Sequence, residues 1–314
     1  MMTRVRFLLS AMAVLLSGVA IASAADQATP APATQPAILI HKIEQPLTID
    51  GDLSKPQWKA VEPIRVDYII SKKGVLSDTP RMTARYRWDD FYFYIGYEFF
   101  SKNLKAQGTG KKEGPEGNER EGAEIYVDGK KVNVAEFFIS FNEPHFFWEI
   151  HLNELNQFND VWCTVVDPTW KVAQQANIPY GIIFSQREFI ADQGPYTLKT
   201  AVKMMPKADG KPSTVNDPSD VDTGYTAEIR IPWLGLGAAK SRKTMITLPP
   251  EKKGDRPKVI PGPWKMAGET MNILAVYQDE DSADRYHHSS PTRPPGGFFH
   301  QSEPYWQVFE LVDK

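Results

Sequence analysis

The chain has 314 residues, a formal net charge of −3 at pH 7 and a single cysteine, Cys163. A mildly acidic protein is a poor electrostatic match for nucleic acid or for anionic lipid, so neither is expected as a partner. One cysteine excludes an intramolecular disulfide, and the sequence has neither a Cys-x-x-Cys-His haem attachment site nor a zinc site of clustered cysteines and histidines.

The first 25 residues have the pattern of a secretory signal peptide. Arg4 and Arg6 precede an apolar run over residues 7–21, and small residues follow at 22–25. The run is short for a bilayer and ends in an Ala-x-Ala pattern, which favours cleavage over a membrane anchor. We therefore expect a secreted protein, or a periplasmic protein of the cell envelope, that is not inserted in the membrane after cleavage. Residues 26–37, rich in Ala, Pro and Thr, are predicted to be a linker before one folded module at residues 38–314.

Residues 81–99 carry the strongest strand signal in the chain. Every second position carries an aromatic or aliphatic side chain predicted to share one face: Phe91, Phe93, Ile95, Tyr97 and Phe99. Tyr92, Tyr94, Gly96 and Glu98 are predicted to lie on the other face. Such a period of two predicts a strand with one face in a core. Asp89 and Asp90 supply turn chemistry before it, so the stretch is predicted to be a hairpin. A hairpin this aromatic must be covered by a second sheet.

The other elements follow in chain order. An Asp50-Gly51 turn precedes Ser54, which we expect to cap a short helical turn that carries Trp58 to the sheet edge. Polar loops are expected at 101–121 and 278–305, and a basic, proline-rich excursion at 240–263. The ten or more strands and the lack of any long helical pattern predict an all-β fold, an antiparallel β-sandwich with long loop insertions. Strands are predicted at 122–128, 134–141, 146–152, 162–166, 180–184, 196–204, 225–233, 271–277 and 306–312.

Four stretches follow one another in a recognisable order: Ile49-Asp50-Gly51 with Trp58, Arg87-Trp88-Asp89-Asp90 with Phe93-Tyr94-Ile95, Glu121-Gly122-Ala123-Glu124-Ile125-Tyr126-Val127-Asp128, and Tyr225-Thr226-Ala227-Glu228-Ile229-Arg230-Ile231-Pro232-Trp233. In this order they resemble the family 9 carbohydrate-binding modules and their DOMON-like relatives. The ending, from His300 to Trp306, is similar to the family's closing segment. The resemblance covers most of residues 43–311, and it implies an exported antiparallel β-sandwich of a kind often attached to glycoside hydrolases. Many members of the family bind structural calcium.

The resemblance also implies a sugar site, although this chain departs from it. In xylanase-linked members two tryptophans sandwich a sugar ring, and here Asn118 stands at the first position and Phe299 or His300 at the second. Phe138 replaces a basic residue expected on the 134–141 strand. The site is therefore predicted between the 101–121 and 278–305 loops, with one stacking platform and weak binding. The predicted polar contacts are Glu119, Arg120, Asp279 and His300, and the predicted stacking rings are Phe299 and Trp170.

Two groups of candidate metal ligands fall in the last long loop. The run Asp279-Glu280-Asp281 with Asp284 could gather calcium, but it lacks an Asp-x-Asp-x-Asp-Gly loop, and a solvated acidic turn is the simpler interpretation. His287, His288 and His300 could hold copper or zinc. Adjacent histidines point in different directions in an extended chain, which argues against that site.

The sequence predicts a binding module that is not itself an enzyme. It contains no Ser/His/Asp order, no phosphate-binding glycine loop and no His-Glu-x-x-His motif. The expected partner is a polysaccharide or oligosaccharide, of the xylan or cellulose type or another glycan, bound in the service of carbohydrate catabolism. A structural or protein-binding domain with an envelope protein partner stays open as an alternative. So does a DOMON-like electron-transfer domain that holds haem b through Met204, Met205, Met266, Met271 or His300.

Overall fold

The computed structural model describes residues 36–69, 75–77, 81–113, 120–123, 126–127, 130–131, 133–141, 146–166, 181–186, 198–233, 235–236, 245–248, 258–261, 263–278, 286–290 and 306–313. At residues 109–131, 146, 161–186, 245–261 and 286 within these ranges, the structure describes the backbone alone. None of the helices in the described ranges is long and apolar enough to cross a bilayer. In chain order the elements are β1 (Ile38–His41), α1 (Pro56–Lys59), β2 (Ile64–Arg65), β3 (Tyr68–Ile69), β4 (Met82–Trp88), β5 (Tyr92–Phe99), β6 (Gly108–Glu113), β7 (Arg120–Ala123), β8 (Tyr126–Val127), β9 (Lys130–Lys131), β10 (Val134–Ser140), β11 (Phe146–Leu152), β12 (Phe158–Val166), β13 (Gly181–Gln186), β14 (Lys199–Met204), β15 (Tyr225–Pro232), β16 (Met245–Leu248), β17 (Lys258–Pro261), β18 (Thr270–Gln278), β19 (Tyr286–His288) and β20 (Gln307–Val312).

Two large sheets account for most of these strands. The nine-stranded sheet follows the order β1-β20-β18-β10-β11-β12-β13, with β19 paired to β18 and β3 paired to β19. β19 and β20 pair with the same edge of β18. β20 pairs with the N-terminal half of β18, and β19 pairs with its C-terminal half. The five-stranded sheet has the order β14-β15-β5-β4-β2. Pairing is antiparallel in both sheets except between β1 and β20, which run parallel.

The inner faces of the two sheets enclose one apolar core, which confirms the predicted β-sandwich. Tyr97 of the five-stranded sheet packs on Phe137 of the nine-stranded sheet at a ring distance of 5.4 Å. Tyr86 and Phe309 meet across the same gap at 5.2 Å. The predicted alternation is confirmed from Phe93 to Phe99, because every second residue there belongs to this core. It is wrong for Phe91, which precedes β5 and packs against a second apolar cluster outside the core.

The segment before β2 covers the outer face of the five-stranded sheet. Leu53 and Trp58 pack there in a second apolar cluster with the tyrosines of β5 that point away from the core. A side chain at Gly96 would place its Cβ 2.9 Å from Leu53 and 3.0 Å from Trp58, so this close approach requires glycine. The predicted cap at Ser54 is wrong. Lys55 is the N-cap of α1 and makes no side-chain cap bond, while Pro56 begins the helix with a fixed φ.

Strands also run through segments that were expected to be loops. β6 and β7 pair with each other in the 101–121 region, and β19 lies within the 278–305 region. β16 and β17 pair within 240–263. These strands are short, and the glycine- and lysine-rich β6 has no apolar alternation, so the pattern that identified the long strands was absent.

Candidate functional site

The outer face of the nine-stranded sheet, the one turned away from the sandwich core, carries an unexpected set of side chains. Strand alternation decides which residues lie there. Phe137 of β10 faces the core, so its neighbours Glu136 and Phe138 face outward. In the pairing of β10 with β11, Glu136 lies opposite His151, and Phe138 lies opposite Glu149. Polar and aromatic groups from neighbouring strands are therefore brought side by side.

Four polar residues of this face form a buried cluster, here called the outer-face cluster: Glu136, Glu149, His151 and Gln278. Their exposed fractions are 4%, 5%, 2% and 3%. The His151 Nε2 atom lies 2.7 Å from Glu149 Oε1, and the Gln278 side-chain amide donates a short hydrogen bond to Glu136 Oε1. Asn159 of β12, the cross-strand neighbour of His151, is also buried on the same face.

The electrostatics of the cluster favour a charged imidazole. Burial alone would lower the pKa of His151, because a charged ring loses its hydration. The hydrogen bond to Glu149 and the negative charges of Glu149 and Glu136 outweigh that effect, and they raise the pKa of His151 above its usual value. The cluster is therefore a place where carboxylates attract positive charge.

Two atoms of the cluster are left without a hydrogen-bond partner. They are His151 Nδ1 and Gln278 Oε1, both fully shielded from solvent. A buried polar atom with no partner costs about 1–3 kcal/mol, and native proteins contain few of them. Such atoms are expected where a ligand or ion completes the bonding.

Aromatic rings border the cluster. Phe138 lies 6.1 Å from Phe147 and 5.8 Å from Trp306, and the last two rings meet edge to face at 5.3 Å. Phe138 stands where the family resemblance leads one to expect a basic residue. The structure gives it an apolar role instead, because it is fully buried among rings. The outer face thus has a polar end near Gln278 and an aromatic end near Phe147.

Most of the sequence-predicted site residues lie outside the described part of the chain: Glu119, Trp170, Asp279, Phe299 and His300. For Arg120 the backbone is described, in β7, which approaches β12. Asp279 follows Gln278 directly, so the predicted site and the outer-face cluster are neighbours in sequence at that point. The acidic run 279–281 and Asp284, the predicted calcium ligands, also fall outside the described residues.

The two adjacent histidines do not form a pair. His287 stacks on Tyr277 at 4.5 Å with nearly parallel rings. His288 instead lies beside Tyr68, at 6.1 Å. Their opposite directions follow from their places in strand β19. Of the methionines considered as haem ligands, Met266 and Met271 are fully buried in the sandwich core.

A separate cleft of about 470 Å³ lies beside the β4–β5 turn. Phe91 and Asp90 line it, and Lys42 pairs with Asp90 at 2.6 Å. The turn itself is held by Asp89, whose carboxylate accepts hydrogen bonds from the backbone N–H groups of Phe91 and Tyr92. Burial raises the pKa of Asp89. The cleft is a second location where a ligand could bind.

The sequence alone did not identify the outer-face cluster. A weak signal was present, since Glu136 interrupts an otherwise apolar strand and Glu149 and His151 alternate with Trp148 and Ile150. Polar residues at every second position are ordinarily the solvent face of a strand. These residues converge because of the register between strands, which the sequence pattern does not reveal. Gln278, for example, is 142 residues from Glu136 in the chain.

Comparisons with known proteins find distant structural likenesses only. No protein-family model matches the chain, and no curated protein matches it. A carbohydrate-binding module of family 9 from Caldicellulosiruptor kristjanssonii, solved with cellotriose, has a TM-score of 0.47 at 13% identity, covering 89% of this chain and 95% of its own. A family 9 module from the same organism, solved with glucose, has the same TM-score and identity. The match covers 89% of this chain and 97% of that module. A candidate carbohydrate-binding protein from Bacteroides uniformis has a TM-score of 0.49 at 11% identity, covering 88% and 98%. Similarities at this level of identity and TM-score do not establish a function for this chain.

Proposed function

We propose that this chain is an exported module that binds a polysaccharide or oligosaccharide and does not cleave it. The observation that carries the proposal is the outer face of the nine-stranded sheet. Its carboxylates, amide and imidazole lie beside three aromatic rings, and all of these buried side chains are on the side of the sheet that faces away from the sandwich core. The ordered stretches that resemble family 9 carbohydrate-binding modules point to the same class of ligand.

This mixture of groups suits a sugar. Carboxylates accept hydrogen bonds from hydroxyl groups, and amides and imidazoles can donate or accept them. An aromatic ring covers the apolar C–H face of a pyranose, so one molecule uses both kinds of group. We place the sugar over the outer face, from its polar end near Gln278 to its aromatic end near Phe147, and we propose that the predicted contacts of the 101–121 and 278–305 loops bind it there.

Glycoside cleavage is not expected from the described carboxylates. Glu136 and Glu149 are the pair that the fold brings together, and each is engaged, the first with Gln278 and the second with His151. Both are buried. A glycosidase needs one carboxyl group free to protonate the glycosidic oxygen and a second free to attack or to activate water. The proposal therefore assigns the module to recognition.

The test is titration calorimetry of the purified chain against xylan, cellulose fragments and their oligosaccharides. With one stacking platform, we expect dissociation constants of roughly millimolar to high-micromolar magnitude. Phe299→Ala and Glu119→Ala should each weaken binding, while Phe91→Ala, in the cleft beside the β4–β5 turn, should not. Release of reducing sugar should stay at background.

The same titrations separate the function from the location. Binding that is lost with Phe91→Ala and unaffected by Phe299→Ala and Glu119→Ala would move the site to the cleft. The proposal would be contradicted if the folded protein gave no heat of binding with any glycan at millimolar concentration.

A further inference from the structure

Three side chains of the outer-face cluster converge as metal ligands do. One ligand atom from each of Glu136, Glu149 and His151 lies within 4.8 Å of the other two. All three side chains are buried, and they project from two antiparallel strands in fixed register. A strand hairpin inside a nine-stranded sheet holds its side chains without any loop movement, so the arrangement is preorganised.

We propose that Glu136, Glu149 and His151 bind a divalent transition-metal ion, with Zn²⁺ as the best-fitting probe. Two carboxylate oxygens and one imidazole nitrogen are a ligand set that Zn²⁺ uses, with bonds of about 2.0–2.2 Å. Ions of the calcium class prefer six to eight oxygen ligands, and an imidazole is not among them. The buried nitrogen therefore favours a borderline ion over a hard one.

Gln278 supplies the second, independent observation. Its side chain is buried and already touches the cluster, since its amide nitrogen donates to Glu136. Its carbonyl oxygen has no hydrogen-bond partner. An amide oxygen held beside two carboxylates is a ready fourth ligand, which would complete the four-coordinate geometry of a zinc site. The Nδ1 atom of His151 is also without a partner. An ion bound at Nε2 would replace the hydrogen bond from His151 to Glu149, and the Glu149 carboxylate would then bind the ion beside the imidazole.

This inference does not rest on the glycan proposal, because the three ligands and Gln278 contact one another and need no sugar. A buried, fixed ion between β10, β11 and β18 would stabilise the centre of the nine-stranded sheet. The competing explanation is that the His151–Glu149 and Gln278–Glu136 hydrogen bonds form a sufficient polar network without any ion. The two explanations differ in whether the purified chain takes up metal.

The experiment is a metal titration of the purified, chelator-dialysed chain in the absence of sugar. Zn²⁺ should bind at one ion per chain and raise the melting temperature, and Ca²⁺ should bind far more weakly. Glu149→Gln and His151→Gln should each weaken Zn²⁺ binding by at least about 100-fold, because the loss of an outer-shell partner alone typically costs roughly 10–100-fold. Glu98→Gln, which alters a partly exposed carboxylate of the five-stranded sheet, is the matched control and should leave the affinity unchanged.

A second measurement on the unaltered chain covers the case in which the variants do not fold. Crystals grown with Zn²⁺ should show an anomalous scattering peak between Glu136, Glu149 and His151. Cobalt(II), used in place of zinc, should give visible absorption bands that are displaced by one equivalent of Zn²⁺. No saturable Zn²⁺ binding, or an anomalous peak only at other residues, would overturn the inference.

Discussion

The indole of Trp58 donates a 2.7 Å hydrogen bond to the carboxylate of Glu228, 170 residues further along the chain. Both side chains are fully buried on the outer side of the five-stranded sheet. The same carboxylate accepts hydrogen bonds of 2.8 Å from the backbone N–H groups of Asp50 and Gly51, and Lys55 pairs with it at 2.6 Å. One buried acid therefore fixes the whole N-terminal cover to strand β15.

Removal of this acid should destabilise the fold strongly. Glu228→Ala leaves two backbone N–H groups and an indole N–H without their acceptor, and it leaves Lys55 with Asp50 as its remaining partner. We expect a loss of about 3–5 kcal/mol in the free energy of unfolding, measured by urea denaturation. Glu44→Ala, an exposed acid of the same segment, is the control and should change it by less than about 0.5 kcal/mol. A Glu228→Ala variant within 1 kcal/mol of the unaltered chain would refute this role.

This network shows what the sequence could and could not predict. Trp58, the Asp50-Gly51 turn and the stretch around Glu228 were recognised as separate family-like pieces. Their order predicted the fold class, and alternation predicted which face of β5 is in the core. One carboxylate joins these pieces because the N-terminal cover packs over the sheet. No local sequence pattern predicts that packing. The outer-face cluster was missed for the same reason.

The close packing at Gly96 gives a second prediction. Gly96→Ala would place a methyl group 2.9 Å from the Leu53 side chain, and we expect a loss of about 1–3 kcal/mol in stability. If the cause is this contact, the cost of Leu53→Ala should be at least ~1 kcal/mol smaller in the Gly96→Ala background than in the unaltered chain. Chemical denaturation of all four proteins completes the cycle. Costs that add within about 0.5 kcal/mol would show that the two positions are not coupled.

His288 gives a third prediction, on the pH dependence of stability. Burial and the charge of His287 lower the pKa of His288 to about 4, below its ordinary 6.5. Between these values the unfolded chain binds a proton that the folded chain does not. The contribution of His288 is therefore fully present above pH 6.5 and is lost as the pH falls toward 4. The loss is about 1.4 kcal/mol per pH unit, ~3 kcal/mol in total.

The measurement is the free energy of unfolding of the unaltered chain and of His288→Gln at pH 7, 6, 5 and 4.5. A glutamine cannot gain the proton, so the difference in stability between the two proteins should shrink or reverse as the pH falls. The comparison removes contributions from groups that do not interact with His288, because these are common to both proteins. A difference that stays constant over this range would show that His288 is not held in its neutral form by the fold.

Glycan binding at the outer face is the central claim, and chemical-shift mapping with tryptophan indole signals tests it most directly. The ¹⁵N-labelled chain would be titrated with xylan and cellulose oligosaccharides to millimolar concentration. We predict that the indole signal of Trp306, which borders the outer face, shifts in a saturable manner, while that of Trp58, held by Glu228 on the opposite side of the sandwich, stays in place. A folded protein in which no indole signal moves with any glycan, or in which Trp306 stays fixed while glycan binds, would contradict the account.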